Sequence, residues 1–596
     1  MKDLLLSELN KEQRASVECC DGPALILAGA GSGKTRVLTY RVAYLVSQKQ
    51  VSPEQILLVT FTNKAAMEMK ARVTRLLSTD YSSQKSVVGP WAGTFHSLCS
   101  KILREDGQEI GISSTYVIYD DNDSLDLIKE IMKKMDLSTK EFNPGAVLGT
   151  IGQAKNQLIG ALEYPQYARG FFQTTVSDIY LSYQKALKEN GALDFDDLIM
   201  ETVRLFKKSP ETLAKYQERF RYILVDEYQD TNHAQFELTK LLAKRYTNIC
   251  VVGDFSQSIY SWRGADYKNL INFKSEFPGV KTFNLDQNYR STQRILDAAY
   301  GVISKNRSHP ILKIWTRQDG GDKITLYEAR DEHDEAKFIV DHLSNNLSDC
   351  AVLYRTNAQS RVLEEVFLHE GIPYVLVGGT RFYERKEIKD LIAYLRLIYN
   401  SKDSVSYKRA EKIGKGRLEK FLNLKPHSSN LVTLELLDKI VEVTGYLDLF
   451  DENDEEDLAR LENIKELRSV AEEFPTLEEF LENIALVEKE SRRRVDNNAV
   501  TLMTVHAAKG LEFPVVFIVG MEEGIFPHSR SLMDSLEMEE ERRLCYVGIT
   551  RAKDKLYLTC ARHRLFFGSR TQNLISRFVG DIPQDLVNVI FTDDSF

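Results

Sequence analysis

At 596 residues, with 43% hydrophobic and 28% charged side chains, the chain has room for several cored domains, on the order of four. No apolar run approaches the ~20 residues that span a bilayer, the N-terminus has no cleavage-like region, and the seven cysteines lack paired metal spacing; the expectation is a cytoplasmic protein with reduced thiols and no membrane partner. The net charge of −9 argues only weakly against nucleic acid, because binding depends on local patches.

In chain order, Asn10 is expected to N-cap the first helix. The Gln13 amide can read an adenine edge, although a lone glutamine more often sits on a surface. Residues 24–27 read as a short buried strand. Gly29, Gly31 and Gly33 follow among the small residues Ala28, Ala30 and Ser32, and Lys34, Thr35 and Arg36 open a helical pattern. Glycines let successive N–H groups turn inward onto a phosphate, and the helix start adds its dipole. Lys34 is then placed for the outer phosphates and the Thr35 hydroxyl for magnesium. Ala28 stands where the usual pattern has glycine, a position that needs only a small side chain. The alternative is a glycine-rich strand-to-helix turn without a ligand.

Residues 56–62 read as a strand and 63–70 as a helix start, and 93–97 form a polar-aromatic stretch. Loops at strand ends are where open α/β sheets bind ligands. From about 101 to 192 the pattern is helical, with Leu125, Ile128, Met132 and Met135 expected on one buried face. This reads as an insertion in an ATPase domain. Residues 221–230 then form a second buried strand ending in carboxylates. Asp226 is placed to hold magnesium through water, and Glu227 to orient or deprotonate an attacking water.

A strand at 248–254 leads into Tyr260, Trp262 and Arg263. Such groups stack on single-stranded bases without sequence preference, but they equally suit an aromatic cluster filling a domain interface. Further strands are expected at 323–329, 350–355, 373–377, 500–506, 515–519 and 555–559, with a helix at 358–369. The stretch 390–494 is charged and helix-rich, and its acidic run 451–457 reads as a solvated face.

The stretches 9–13, 28–35, 60–70, 93–97, 226–230, 253–266, 285–291, 504–513 and 539–552 occur in the order of, and resemble, the motifs of the UvrD/PcrA/Rep family of superfamily 1 DNA helicases. The resemblance implies an α/β protein with two RecA-like P-loop core domains, each interrupted by a largely helical insertion. The expected boundaries are 1–108 with 200–284 for the first core and 109–199 for its insertion. They are 285–389 with 495–583 for the second core, 390–494 for its insertion, and 584–596 for a short C-terminal tail. It implies a motor that uses ATP and Mg2+, walks 3′ to 5′ along single-stranded DNA and separates duplexes, in repair or replication. Implied partners are single strands, single/double-strand junctions and accessory proteins, for a monomer or weak oligomer.

The resemblance also assigns roles. Gln13 would contact adenine and Tyr289 stack on it, Glu512 would contact the ribose, and residues 28–36 would hold the phosphates. Gln257 would sense the terminal phosphate, and Arg290 and Arg551 would reach it from the second core domain, where arginine stabilises developing charge. DNA contacts would be Phe61, Thr94, His96, Phe195, Tyr260, Trp262 and Arg263, then Arg355, Asn357, Lys509, His528 and Phe567. Taken singly, His96 and His528 read as structural and Phe567 as core.

The chain departs from the family in a shorter second insertion, in lacking a basic C-terminal tail, and in the acidic motif, which has Tyr228 and Asp230 where close members often have Phe and Asn. Three readings are weighed: a helicase, a DNA-stimulated ATPase that strips proteins or remodels forks, and a non-motor nucleotide-binding module; Glu227, Gln257, Arg290 and Arg551 count against the third, and sequence does not separate the first two. The short insertion leads to two expectations: weak unwinding by the monomer, and DNA-stimulated ATPase that survives replacement of 390–494 by a flexible linker.

Overall fold

The computed structural model describes residues 6–78, 89–139, 141–424, 431–452, 454–490 and 498–592. Residue 453 of the acidic run, the boundary expected between 494 and 495, and the last four residues of the expected tail lie outside them. The chain divides into two compact units, Met1–Tyr289 with His309–Trp315, and Arg290–Ser308 with Thr316–Phe596. Among the described residues no helix is long and apolar enough to cross a membrane, and all seven cysteines are free of disulfides.

The first unit is built on a six-stranded parallel sheet in the order Trp91–Thr94, Ile56–Thr60, Tyr222–Val225, Ile249–Gly253, Ala24–Ala28, Lys281–Leu285. Its central strands are apolar runs because both faces are covered by helices. Leu25, Val59, Ile223 and Val251 join the cluster on one face. Ile26, Leu58, Leu224 and Val252 join the cluster on the other. Lys281–Leu285 pairs along Ala24–Ala28, so this unit runs through Tyr289 rather than ending at 284.

A helical lobe leaves the first unit through a short parallel pair, Val117–Ile118 beside Ala192–Leu193. Its apolar cluster runs from Leu127 to Ala192. The buried face of helix Asp121–Lys134 is Ser124, Leu127, Ile128, Ile131 and Met132, with Leu125 and Met135 half-buried. The expected face is thus rotated by about one position, because two ladders of three- and four-residue steps overlap here and packing chose between them. The expected boundary at 199/200 falls inside helix Phe195–Lys208, whose Leu198, Ile199 and Val203 belong to the core cluster of the sheet. The boundary at 108/109 falls inside the turn of helix Gly107–Ile110.

The second unit holds a seven-stranded parallel sheet in the order Tyr374–Val377, Val500–Thr504, Cys350–Tyr354, Phe513–Ile518, Ala552–Ala561, Ile324–Ala329, Val587–Phe591. The last strand corrects the expected tail: residues 587–591 pair with Ile324–Glu328 and close that edge.

The helical insertion of this unit shares an apolar cluster from Phe382 to Ile484. The expected boundary at 389/390 falls inside helix Lys386–Tyr399, whose Ile388, Leu391, Ile392 and Leu395 are buried. Helix Glu455–Glu473 buries a polar row, Glu462, Asn463, Glu466 and Ser469. Arg361, with no exposed surface, donates to Glu466 at 2.7 Å and to Glu473 at 3.0 Å from this helix, and to Glu365 at 3.1 Å. Arg385 donates to Asn463 at 2.7 Å. These bonds count against a dispensable insertion, because cutting it out leaves buried charge without its partners.

Candidate nucleotide site and nucleic-acid interface

The phosphate loop joins strand Ala24–Ala28 to helix Lys34–Ser47. Gly33 caps that helix at φ +87°, a conformation that favours glycine. A Cβ on Gly29 would sit 2.3 Å from the Ile314 side chain. The loop is further held from within and from outside. Ser32 Oγ donates to the Gly29 carbonyl at 2.8 Å, the Asn288 amide to the Ala30 carbonyl at 2.7 Å, and the Tyr289 N–H to the Gly31 carbonyl at 3.0 Å.

Asn10 caps helix Lys11–Glu18 in a reciprocal box with Gln13. The Gln13 amide is buried and donates to the Ser32 carbonyl at 2.9 Å, which places it against the phosphate loop. Asn10 Nδ2 also donates to the Tyr289 hydroxyl at 2.8 Å and to Gln287 Oε1 at 3.1 Å. Tyr289 stays half-exposed. Arg36 pairs with Glu8 at 3.0 Å.

The acidic strand Tyr222–Val225 ends at the buried Asp226, which accepts the Glu227 N–H at 3.0 Å. Glu227 is left-handed, φ +49°, an uncommon conformation for a non-glycine residue that concentrates at functional sites. Lys34 Nζ lies 3.3 Å from Glu227 Oε2. Thr35, in the first helical turn, and Asp226 offer hard oxygen donors of the kind Mg2+ takes.

Beyond Glu227 a chain of bonds crosses to the neighbouring strand end. Gln229 Nε2 donates to Glu227 Oε2, and Gln229 Oε1 accepts the Asp254 N–H at 3.0 Å. Asp254 in turn accepts from Gln257 Nε2 at 2.6 Å. Burial pushes the Asp254 carboxyl up, against the lowering charge of Lys34.

The following loop presents an aromatic group. The Arg263 guanidinium lies 4.4 Å from the Trp262 ring centre and 5.9 Å from that of Tyr260, and the two rings meet edge-on at 6.4 Å. Trp262 is 40% exposed. That exposure fits a stacking platform better than an interface plug.

A second aromatic group joins three strand-end elements of the same unit. Phe61 meets Phe95 at 5.9 Å, and His96 meets the exposed Phe195 edge-on at 5.8 Å. Burial pushes the His96 imidazole pKa down, disfavouring the charged ring. Thr94 caps helix Phe95–Asp106 and accepts the Ser97 N–H.

Phe195 is placed by the Asp194–Asp197 capping box. Both carboxylates hold the fully buried Lys155 of the helical lobe, at 2.5 and 2.8 Å. The next residue, Asn156, accepts from Asn232 at 2.6 Å.

In the second unit the assigned residues are tied to neighbours. Arg290 donates to Glu512 at 2.7 Å and to the Thr550 carbonyl at 3.0 Å. Burial works to raise the Glu512 pKa, but Lys553 and Arg290 hold it below the usual range. Arg551 is buried and donates to the Val547 and Leu511 carbonyls and to Thr550 Oγ1. Arg355 forms a forked pair with Glu541. Asn357 opens a short helix at the end of strand Cys350–Tyr354, and Lys509 lies half-buried in the turn after strand Val500–Thr504.

Two of these residues meet the insertion. His528 Nε2 lies 2.9 Å from Glu462. Phe567, at φ +58° and stacked on Phe566 at 3.8 Å, donates its N–H to Glu466.

Sequence reasoning missed the roles of Gln229 and Asp254, the Asn10–Tyr289 bond and the buried polar row on helix Glu455–Glu473. Only the capping-box spacing at Asn10 left a readable signal.

Residues 9–278 match the UvrD/REP helicase N-terminal domain, and 283–456 with 435–563 match the UvrD-like helicase C-terminal domain. The chain is similar to the ATP-dependent DNA helicase PcrA of Bacillus subtilis, 46% identical over 98% of this chain and 87% of the relative. It is similar to the PcrA helicases of Staphylococcus epidermidis, at 45%, and Staphylococcus aureus, at 44%, with the same coverage. With one nucleotide-type loop, one acidic strand end and matches spanning both units, the chain belongs to the UvrD/REP helicase family.

Proposed function

We propose that this protein is an ATP-driven DNA helicase that moves 3′ to 5′ along a single strand. The observation that carries it is the bonded line from Lys34 through Glu227, Gln229 and Asp254 to Gln257, which ends beside the Tyr260–Trp262–Arg263 loop. The residues proposed for hydrolysis and for base stacking thus belong to one packed unit. Lys34 binds the outer phosphates, Glu227 orients the attacking water, and Gln257 senses the terminal phosphate. Thr35 and Asp226 would hold Mg2+, which supplies charge neutralisation on the phosphates. The family resemblance would give Tyr289 of the first unit to the base and, in the second unit, Glu512 to the ribose and Arg290 and Arg551 to the charge that develops on phosphoryl transfer. The remaining assigned aromatic and polar residues of both units hold the strand. Repair or replication is the setting this activity suits.

A second reading has its own support. The alignment with the Bacillus relative spans 651 positions, more than the 596 residues of this chain, and the C-terminal match breaks into two segments that overlap at 435–456, inside the second insertion. A reduced insertion has less surface for a duplex, which favours a translocase that clears bound proteins and unwinds weakly alone. One experiment tests both. ATPase is measured with and without single strands, beside displacement of strands from 3′-tailed and 5′-tailed duplexes. Stimulated ATPase with displacement from 3′ tails supports the helicase, and stimulated ATPase without displacement supports the second reading. ATPase indifferent to DNA refutes both.

A further inference from the structure

The hydrolysis machinery and the aromatic loop stand at the ends of two different strands, Tyr222–Val225 and Ile249–Gly253. One side chain spans them. Gln229 has no exposed surface. Its amide N–H donates to the Glu227 carboxylate, and its amide oxygen accepts the Asp254 N–H at 3.0 Å. Its own carbonyl accepts from Ser258 Oγ at 3.3 Å. The space around it is closed: a Cβ on Gly253 would lie 2.8 Å from Gln229 Oε1 and 2.9 Å from Leu270 Cδ1. The glutamine is therefore seated by shape as well as by bonds.

An amide is suited to this place in a way a carboxylate or a hydrocarbon is not. It donates at one end and accepts at the other. It can thus hold an anion and a backbone N–H together without adding charge beside Asp226, Glu227 and Asp254. Glu227 also needs restraint, because its backbone is in the uncommon left-handed region.

We propose that Gln229 is a positioning residue that fixes the Glu227 carboxylate and couples it to the segment 254–263, which carries Gln257 and the base-stacking loop. A shift of that loop on a DNA strand would move the Asp254 N–H, then the Gln229 amide, then the carboxylate that orients water. This rests on the proposed motor function.

The test is Gln229→Met, which keeps the volume and removes both side-chain bonds. Nucleotide affinity, KM for ATP and kcat are measured with and without saturating single-stranded DNA, alongside thermal melting. The expected result is a fold close to the parent's, with KM within about threefold. With DNA present, kcat falls about 10–100-fold, the scale on which ~1 Å misplacement acts, and the ratio of stimulated to basal rate drops toward one. A folded variant with kcat and stimulation ratio within about twofold of the parent overturns the proposal.

Should Gln229→Met fail to fold, Gln229→Glu keeps the acceptor for the Asp254 N–H, removes the donor to Glu227 and sets a second carboxylate against it. It is expected to lose kcat with KM held, and parent-like kcat overturns the proposal. A parent chain whose ATPase ignores DNA refutes the motor function and the DNA half of this inference. Its basal kcat in the two variants then decides the Glu227 half.

Discussion

Replacing 390–494 by a flexible linker is expected to unfold the second unit, against the reading from sequence length. The cut would pass through helix Lys386–Tyr399. It would strip Arg361 of Glu466 and Glu473 and leave Glu365 as its carboxylate partner. Breaking a buried pair from one side costs about 3–5 kcal/mol. Phe382, Tyr383 and Ile388, buried at 1%, 4% and 0% exposure, would lose the cluster they pack into. At about 1.5–3 kcal/mol per side chain this adds roughly 5–9 kcal/mol. The combined loss matches the whole stability of a typical domain, about 5–15 kcal/mol.

A milder perturbation isolates the charged part. Glu466→Gln with Glu473→Gln keeps shape and leaves Arg361 with Glu365 alone. It is expected to cost about 3–5 kcal/mol, a fall of roughly 10 °C in the melting of this unit. Adding Arg361→Met should restore much of that, because the uncompensated charge is gone. Thermal melting followed by circular dichroism, with ATPase as a second readout, makes the measurement. A linker variant that melts cooperatively within a few degrees of the parent and keeps DNA-stimulated ATPase would refute the reasoning.

Other perturbations have equally direct readouts. Lys34→Ala is expected to abolish ATP turnover, and Glu227→Gln to retain nucleotide binding while turnover falls about 10²–10⁴-fold; turnover at the parent rate in Glu227→Gln would remove it as the water-orienting group. Trp262→Ala is expected to weaken single-strand binding by about 1–3 kcal/mol whatever the sequence, with melting unchanged because the ring is 40% exposed; a lower melting temperature with normal binding would make it a structural plug. Burial, together with the Asp194 charge, pushes Asp196 up to about 7. A raised carboxyl gives stability at low pH that is lost as pH rises from about 4 through 7. Asp196→Asn should therefore stabilise the protein by up to about 4 kcal/mol at pH 8, at ~1.4 kcal/mol per unit of the rise, and not at pH 4, as read from melts at both; equal effects at both pH values would count against it.

The sequence by itself determined the local elements and the glycine-rich loop that carries Lys34 and Thr35. Strands buried on both faces announce themselves as apolar runs, as at 24–27 and 221–225, and a loop such as 28–35 needs glycine and Lys-Thr at set offsets. The capping residue Asn10 was legible for the same reason, since its partner lies three residues away. Contacts between distant segments were decided only by the tertiary structure. Gln229 reads as one more polar residue in an acidic motif until strand order brings Ile249–Gly253 beside Tyr222–Val225. Residues 587–591 read as a tail until Ile324–Ala329 offers them an edge. The domain cuts at 199/200 and 389/390 followed the family resemblance, but helices Phe195–Lys208 and Lys386–Tyr399 run through both. A helix continues wherever one of its faces stays buried, and which face is buried depends on partners tens to hundreds of residues away.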